Sequence, residues 1–266
     1  MTATPRPLIT LLTDFGTRDA YAASLKGVIL SLNPAARLVD LTHEVPPQDI
    51  RAGAFILAAA AAYFPPGAIH LAVVDPGVGS GRRALAARCR GQYWVGPDNG
   101  LFHPVFAKAP DLAIVSLENP AYFRPQVSAT FHGRDIFAPV AAHLSLEVDL
   151  DRFGPRLTDP VSLGWPEPDF NPEAVRGEII YVDGFGNLVS NIPAADLAVW
   201  LEGRSVSLRL GSLSLQGLAR TYADAAPGKF LALAGSHGLV EIACALDHAA
   251  RRLKAGVGLP VEIRKE

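Results

Sequence analysis

Hydrophobic and polar positions along the chain change rhythm at about residue 175. Before that point, short continuous apolar runs alternate with stretches of helical spacing. Leu8 to Thr13 is an apolar run that ends in Asp14, Phe15 and Gly16. Tyr21, Leu25, Val28 and Ile29 then recur at helical spacing, which predicts a helix over residues 20–33 with Asp19 as its cap and Asn33-Pro34 as its stop. Arg37 to Leu41 reads as a second strand, followed by an alanine-rich helix that starts at Gln48 or Asp49 and finishes at Pro65-Pro66. Leu71 to Val74 is a third apolar run and delivers Asp75. Strand, helix, strand, helix, strand is the pattern of a parallel sheet with helices on its faces. Two further strands, Ala84 to Arg90 and Tyr93 to Val95, meet through a tight turn at Gly91-Gln92; Leu112 to Ser116 is another strand, and residues 136–145 read as a helix.

Residues 153–175 break this pattern with prolines, acidic residues and aromatics, as a linker does. Beyond them, residues 177–183, 205–215, 230–235 and 238–243 alternate over short spans separated by glycine turns, and Leu246 to Leu253 reads as one short helix. That is the pattern of a small antiparallel β domain or barrel. The expected fold is α/β: an N-terminal, mostly parallel sheet sandwiched by helices (residues 1–155), a linker (156–175), and a smaller C-terminal antiparallel, barrel-like β domain (176–266).

Charge and cysteine content narrow the functional classes. With 24 basic and 26 acidic residues, the net charge of -2 provides no electrostatic footprint for nucleic acid or a membrane surface, so the expected partner is a small molecule or another protein. The most apolar run, residues 52–64, is too short to span a bilayer and is bounded by proline. The opening MTATPRPLITLL lacks the continuous apolar run of a secretory leader, so cytoplasmic residence is expected. Cys89 and Cys244 fall outside any metal-ligand spacing and suit a reducing compartment as small core residues. His43 has no second histidine four residues on, and the seven histidines are scattered, so no metal site is expected.

Two stretches carry candidate chemistry. In VVDPGVGSGRR, residues 73–83, a buried strand ends on Asp75, proline and glycine stop it, and Gly79 and Gly81 allow close backbone approach or positive φ. Asp75 and Arg82 can then face one cavity as a carboxylate–guanidinium pair, or cap a turn as a structural ion pair; adjacent Arg83 is the alternative arginine. His132, in TFHGRD before the helix at 136–145, sits where the positive end of a helix favours a neutral imidazole, or serves as an ordinary cap. In YVDGFGNLVSNI, residues 181–192, Asp183, Phe185 and Asn187 set an aromatic face beside carboxylate and amide groups, which suits a flat heterocycle such as adenine; a hairpin turn with one core phenylalanine is the alternative.

TDFGTRDAYAASLKGVI, LTHEVPPQDIRAGAFIL, VVDPGVGSGRRAL, VGPDNGLF, TFHGRD and DGFGNLVSNI, in this order, closely resemble the S-adenosylmethionine hydroxide adenosyltransferases, relatives of the fluorinases and chlorinases. The resemblance implies hydrolysis of S-adenosyl-L-methionine by water attack at C5′, giving adenosine and L-methionine, with the sulfonium compound as substrate and no cofactor or metal. It implies an N-terminal α/β domain followed by a smaller β domain, and a homotrimer with sites where one subunit's N-terminal domain meets its neighbour's C-terminal domain. Carried over by motif, Asp75, Arg82 and His132 are the catalytic set that positions and activates water, and Asp14 binds the ribose hydroxyls. Asp183, Phe185 and Asn187 lie around the adenosine and methionine portions. The halogenases carry an aromatic residue where Asp75 stands, and an arginine for the methionine carboxylate where this chain has His237, leaving Ser236, backbone N–H groups and His237 as candidates for that end. The alternatives are halide transfer, or an adenosine-binding protein in which the triad only shapes the pocket.

Overall fold

A computed structural model describes residues 7–107 and 109–266; the leading MTATPR stretch, on which the expectation about a leader partly rests, lies outside them. The chain divides into two compact units, residues 1–165 and 166–266. Among the described residues no helix is long and apolar enough to cross a membrane.

In the first unit the elements run β1 (Leu8–Thr13), α1 (Tyr21–Leu32), β2 (Arg37–Thr42), α2 (Ile50–Ala61), β3 (Ile69–Val73), β4 (Ala84–Cys89), β5 (Gln92–Pro97), α3 (His103–Phe106), β6 (Ala113–Ser116) and α4 (Ala138–Ser145). Six strands form one sheet in the order β2-β1-β3-β5-β4-β6. The first four lie parallel, and β4 runs antiparallel to both its neighbours. Strands covered on both faces read as continuous apolar runs, which is why β3 is buried along its whole length. Leu25 and Ile29 of α1 and Val140 of α4 pack with Phe137 against Ile9, Leu11 and Leu71 of the sheet. In α2, a Cβ on Gly53 would sit 3.0 Å from both Val74 and Leu101, so this glycine sets how closely the helix approaches.

Helix starts follow the side chains that can reach the first amides. Asp49 caps α2, its Oδ1 accepting from the Ala52 amide at 2.9 Å. The expected Asp19 cap on α1 is not formed: the helix opens one residue later, at Ala20, whose carbonyl takes the Ser24 amide, and no side chain caps it.

The second unit runs β7 (Asp169–Phe170), β8 (Ala174–Val182), β9 (Leu188–Pro193), α5 (Ala194–Leu201), β10 (Val206–Leu210), β11 (Leu213–Gln216), β12 (Phe230–Ala234), β13 (Leu239–Cys244), α6 (Ala249–Leu253) and β14 (Pro260–Lys265). Its antiparallel path is β11-β10-β14-β8-β9-β13-β12, with β7 beside β8. Long β8 pairs with β14 through residues 174–178 and with β9 through 179–182, so one strand serves both halves. A bridge between Ala219 and Leu233 draws the two ends of the path together, and the sheet is nearly a closed barrel. Ile179, Leu188, Ile192, Leu208, Val240 and Ile263 fill it. Four elements escape the sequence pattern: two-residue β7 lies inside the expected linker, β9 lies within a stretch rich in turn residues, α5 follows it with no polar break, and β14 alternates apolar with charged residues.

The proline-rich stretch between the units is used by both. Arg156 bridges Val115, and Asp159 pairs with Arg83, in the first unit, while β7 belongs to the second.

Gly96 in β5 tests the packing beneath the site, because a Cβ there would collide with the Ala72 carbonyl on β3 and sit 2.9 Å from the Phe102 ring. Gly96→Ala is expected to destabilise the first unit by about 2 kcal/mol. Urea unfolding should show this as a lower midpoint with unchanged slope.

Candidate functional site

The parallel strands of the first unit all end on one edge of the sheet, and polar residues follow each of them: Asp14 after β1, His43 after β2, Asp75 after β3 and Asp98 at the end of β5. From β1 the chain goes out to β2 on one side and returns to β3 on the other, so the strand order reverses between β1 and β3. A crevice opens at such a reversal, because consecutive loops leave in opposite directions. Asp14 and Asp75 flank it.

Asp75 is held by the loop it begins. The Val78 amide donates to its carbonyl, and Ser80 donates through both amide and hydroxyl to the Gly77 carbonyl, so the chain turns back on itself and returns Arg82 to Asp75. Gly79 takes a positive φ of 76°, and a Cβ there would strike the Ala129 carbonyl; Gly81 shows neither constraint. Arg82 Nε donates to Asp75 Oδ1 at 2.9 Å, and Nη2 donates to Oδ2. Nη2 also donates to His132 Nδ1 at 2.8 Å. The guanidinium lies 5.3 Å from the centre of the buried Phe137 ring. One arginine thus joins the two other candidate residues, with side-chain exposures of only 10% for Arg82 and 5% for Asp75. Arg83 turns the other way, to Asp98 at 2.7 Å and Asp159 at 2.8 Å.

His132 precedes a π-helical turn, Gly133–Phe137, that leads into α4. The fully buried Asp135 fixes this turn, accepting from the Ser128 amide at 2.9 Å and from Arg134 Nε at 2.7 Å. Burial raises the Asp135 pKa, but the hydrogen bonds from Arg134 and Ser128 outweigh it and hold the carboxyl below its ordinary value. Arginine only donates, so the Arg82 contact requires a lone pair on His132 Nδ1. The ring is therefore neutral with its proton on Nε2, which makes Nε2 a donor. Burial lowers the His132 pKa first, and Arg82 adds to this against the opposing pull of Asp75 and Asp135. The expected direction is present, with burial and a neighbouring cation as its physical cause.

A cavity of about 480 Å³ lies over this edge, lined by Asp14, Asp75 and His132. Gln48, with a φ of 67°, donates its amide to Asp14 Oδ2 at 2.8 Å. Phe15, Tyr21 and Phe131 pack edge to face with ring centres 5.3 to 5.9 Å apart, giving the cavity an apolar wall. The sequence reading assigned no site role to Gln48, Asp135 or these rings. Aromatics placed just after a strand end and just before His132 were the available signal.

In the second unit, Asp183 organises its own loop. Its Oδ1 accepts from the Phe185 and Asn187 amides at 2.9 and 2.8 Å, and its Oδ2 from Asn187 Nδ2 at 2.9 Å. Asn187 is buried and its main-chain carbonyl accepts the Asp183 amide at 3.1 Å, while Phe185 is 82% exposed. Ser236 is exposed in the turn between β12 and β13. His237 faces inward: Nδ1 accepts the Leu239 amide at 3.3 Å, and Nε2 lies 3.0 Å from Oε2 of the buried Glu241, whose Oε1 takes the Tyr222 hydroxyl at 2.5 Å. Burial raises the Glu241 pKa, and His237 and Tyr222 more than reverse this. Both His237 ring nitrogens are engaged within this cluster, so neither is presented to a ligand carboxylate. Among the described residues, no three His, Cys, Asp or Glu side chains gather as a metal-holding group.

Comparison with known proteins bears on both units. Residues 9–154 match a family model described as the SAM hydroxide adenosyltransferase N-terminal domain, and residues 177–262 match the corresponding C-terminal domain. The chain is 43% identical over 244 residues to an (R)-S-adenosyl-L-methionine hydrolase of Salinispora tropica, covering 90% of each. It is 40% identical to a protein of the same name from Thermus thermophilus, covering 95% of this chain and 97% of that one. A fluorinase of Nocardia brasiliensis is 29% identical over 97% of both chains. A crystal structure of an uncharacterized conserved protein from Thermotoga maritima superposes with a TM-score of 0.89 at 37% identity, covering 97% of this chain and all of that one.

The tautomer is directly testable. Imidazole nitrogen-15 shifts at neutral pH should show His132 Nε2 protonated and Nδ1 bare; the opposite pattern would remove the Arg82 contact from the account. Because folding lowers this pKa, the folded state binds fewer protons than the unfolded chain as pH falls below the ordinary histidine value of about 6.5. Stability assigned to His132 is thus present above that pH and declines as pH drops towards the lower folded value. His132→Asn should remove this segment of the pH–stability curve.

Proposed function

The chain belongs to the SAM hydroxide adenosyltransferase family, and from that membership we infer that it is an enzyme hydrolysing S-adenosyl-L-methionine to adenosine and L-methionine. Water attacks C5′, the new C5′–O bond forms as the C5′–S bond breaks, and the bonding pair leaves on sulfur. The leaving group is a neutral thioether, so it requires no proton. The proton to be moved is the one on the attacking water.

Asp75 is the residue we assign to that proton, and the observation that carries the assignment is the Arg82 fork joining Asp75 to His132 beneath the cavity. The fork fixes the carboxylate while leaving acceptor capacity on both oxygens. Neutral His132 then donates from Nε2, so one water is gripped by an acceptor and a donor and aimed at carbon. Arg82 offsets negative charge that develops as the water loses its proton. Asp14 takes the ribose hydroxyls, and Phe185 with Asn187 and Asp183 receives the nucleoside and amino-acid portions. A carboxylate at position 75 repels a halide, which favours water over the halide transfer of the fluorinase relatives. For the methionine carboxylate we retain Ser236 and the backbone amides of its turn, since His237 is engaged with Glu241.

The hydrolase relatives are named for the (R) form, and we extend that sulfur configuration to this substrate. A homotrimer, with each site completed by a neighbouring copy, belongs to the same proposal; the 82% exposure of Phe185 supports it, because so large an apolar face gains by being covered. Cytoplasmic residence is supported by Cys89 and Cys244, each buried and unpaired.

Asp75→Asn is expected to lower kcat by about 10²- to 10⁴-fold while adenosine affinity stays within a few fold. Unaltered turnover would remove Asp75 from its role. Given separately, the (R) epimer should be consumed faster than the (S) epimer, and equal rates would contradict the stereochemical extension. Mixing inactive Asp75→Asn with inactive Phe185→Ala should restore activity if sites are shared between copies, whereas no restoration would indicate self-contained sites.

A further inference from the structure

A second run of polar side chains lies behind Asp14. Thr13, the last residue of β1, is fully buried; its hydroxyl accepts the Phe15 amide at 3.3 Å and lies 2.8 Å from His43 Nδ1. With one lone pair taken by that amide, the hydroxyl can give its proton to Nδ1. His43 is 5% exposed, and its Nε2 lies 3.1 Å from Asp40 Oδ1 but outside hydrogen-bond geometry, so the neutral ring meets the carboxylate only through its N–H dipole. Asp40 is also paired at 2.6 Å with Lys26 of α1. A buried ring nitrogen with so little satisfaction is costly, and its retention calls for a physical reason.

The backbone supplies one. β1 and β2 pair in register as far as Leu11 opposite Asp40, then shift so that Leu12 faces Thr42. The extra residue, Leu41, is a bulge, and it advances β2 so that His43 comes level with Thr13. The His43 carbonyl accepts the Gly16 amide at 2.7 Å, and the Val45 amide returns to the Thr13 carbonyl at 3.3 Å. The Gln48 amide donates to Asp14 Oδ2 at 2.8 Å. These bonds end on Asp14 itself or within two residues of it.

We propose that Thr13, His43 and Asp40 form a positioning relay that fixes the Asp14 carboxylate and the Phe15 main chain at the rim of the cavity. The proposal rests on the reading of Asp14 as the ribose-binding residue. None of the three touches the reacting atoms; they act through Asp14, so their loss falls on nucleoside affinity and KM before kcat.

Thr13→Val and Thr13→Ser separate this role from packing. Valine keeps the shape and deletes the hydroxyl, while serine keeps the hydroxyl and deletes a methyl group. The relay predicts that Thr13→Val weakens adenosine binding and raises KM by about tenfold, the size of one lost hydrogen bond, with a smaller effect on kcat. Thr13→Ser should restore most of the affinity. Asp40→Asn, at a side chain 40% exposed, should shift affinity in the same direction without a folding defect. Amide hydrogen exchange gives a readout that needs no ligand: in Thr13→Val, protection at Phe15, Gly16 and Gln48 should fall while that at Leu11 and Leu12 persists. The proposal is overturned if serine proves more damaging than valine, or if those three amides keep their protection. Should the wild-type protein fail to hydrolyse S-adenosylmethionine, the exchange result still decides the relay, and only the hydrolase reading falls.

Discussion

The arrangement of the first unit's functional edge depends on one interaction, the fork by which Arg82 holds Asp75. Both groups are almost out of solvent, where an ion pair offers little stability and the loss of either partner costs about 3–5 kcal/mol. Such a pair is a poor device for stabilising a fold and a good one for holding a carboxylate in a fixed place. The third contact, from the same guanidinium to His132, gives the pair a direction and sets the imidazole tautomer. Phe137 beneath the guanidinium and Asp135 behind His132 keep the unit from relaxing.

The fold brings these residues together because of where the strand order reverses. β1 and β3 are neighbours in the sheet but are separated in sequence by α1, β2 and α2. Their carboxyl ends place Asp14 and Asp75 on either side of one crevice, and the loop before α4 contributes His132 from a third direction. In the second unit the comparable device is a loop rather than a sheet edge. Asp183 spends its acceptors on the loop's own amides, and this turns Phe185 outward and Asn187 inward.

Much of this was legible in the residues. Apolar runs ending in aspartate located β1 and β3 and their terminal carboxylates, because buried parallel strands leave polar residues nowhere but their ends. The Asp183 stretch read either as a heterocycle site or as a hairpin turn with a core phenylalanine, and the exposure of Phe185 departs from the second. What could not be read was direction. Spacing favoured Arg82 over adjacent Arg83 as the partner of Asp75, but where Arg83 turns follows from its contacts with Asp98 and Asp159, which an irregular loop does not reveal in sequence. His237 stood at a ligand-binding position by motif, yet Glu241, four residues on across a turn, draws it inward. β9 and α5 were hidden because β9 follows a glycine-rich turn with Ser190 and Asn191 interrupting its apolar residues, and α5 continues from it with no side-chain cap to mark its start.

By this reading the edge activates water against C5′ of a sulfonium nucleoside. The most direct test is turnover of S-adenosylmethionine in oxygen-18 water, with chloride present and absent, followed by mass spectrometry of the nucleoside. The account predicts adenosine carrying one oxygen-18 in its 5′-hydroxyl, in a yield that does not depend on chloride. A 5′-chlorinated nucleoside, or adenosine without the label, would contradict it.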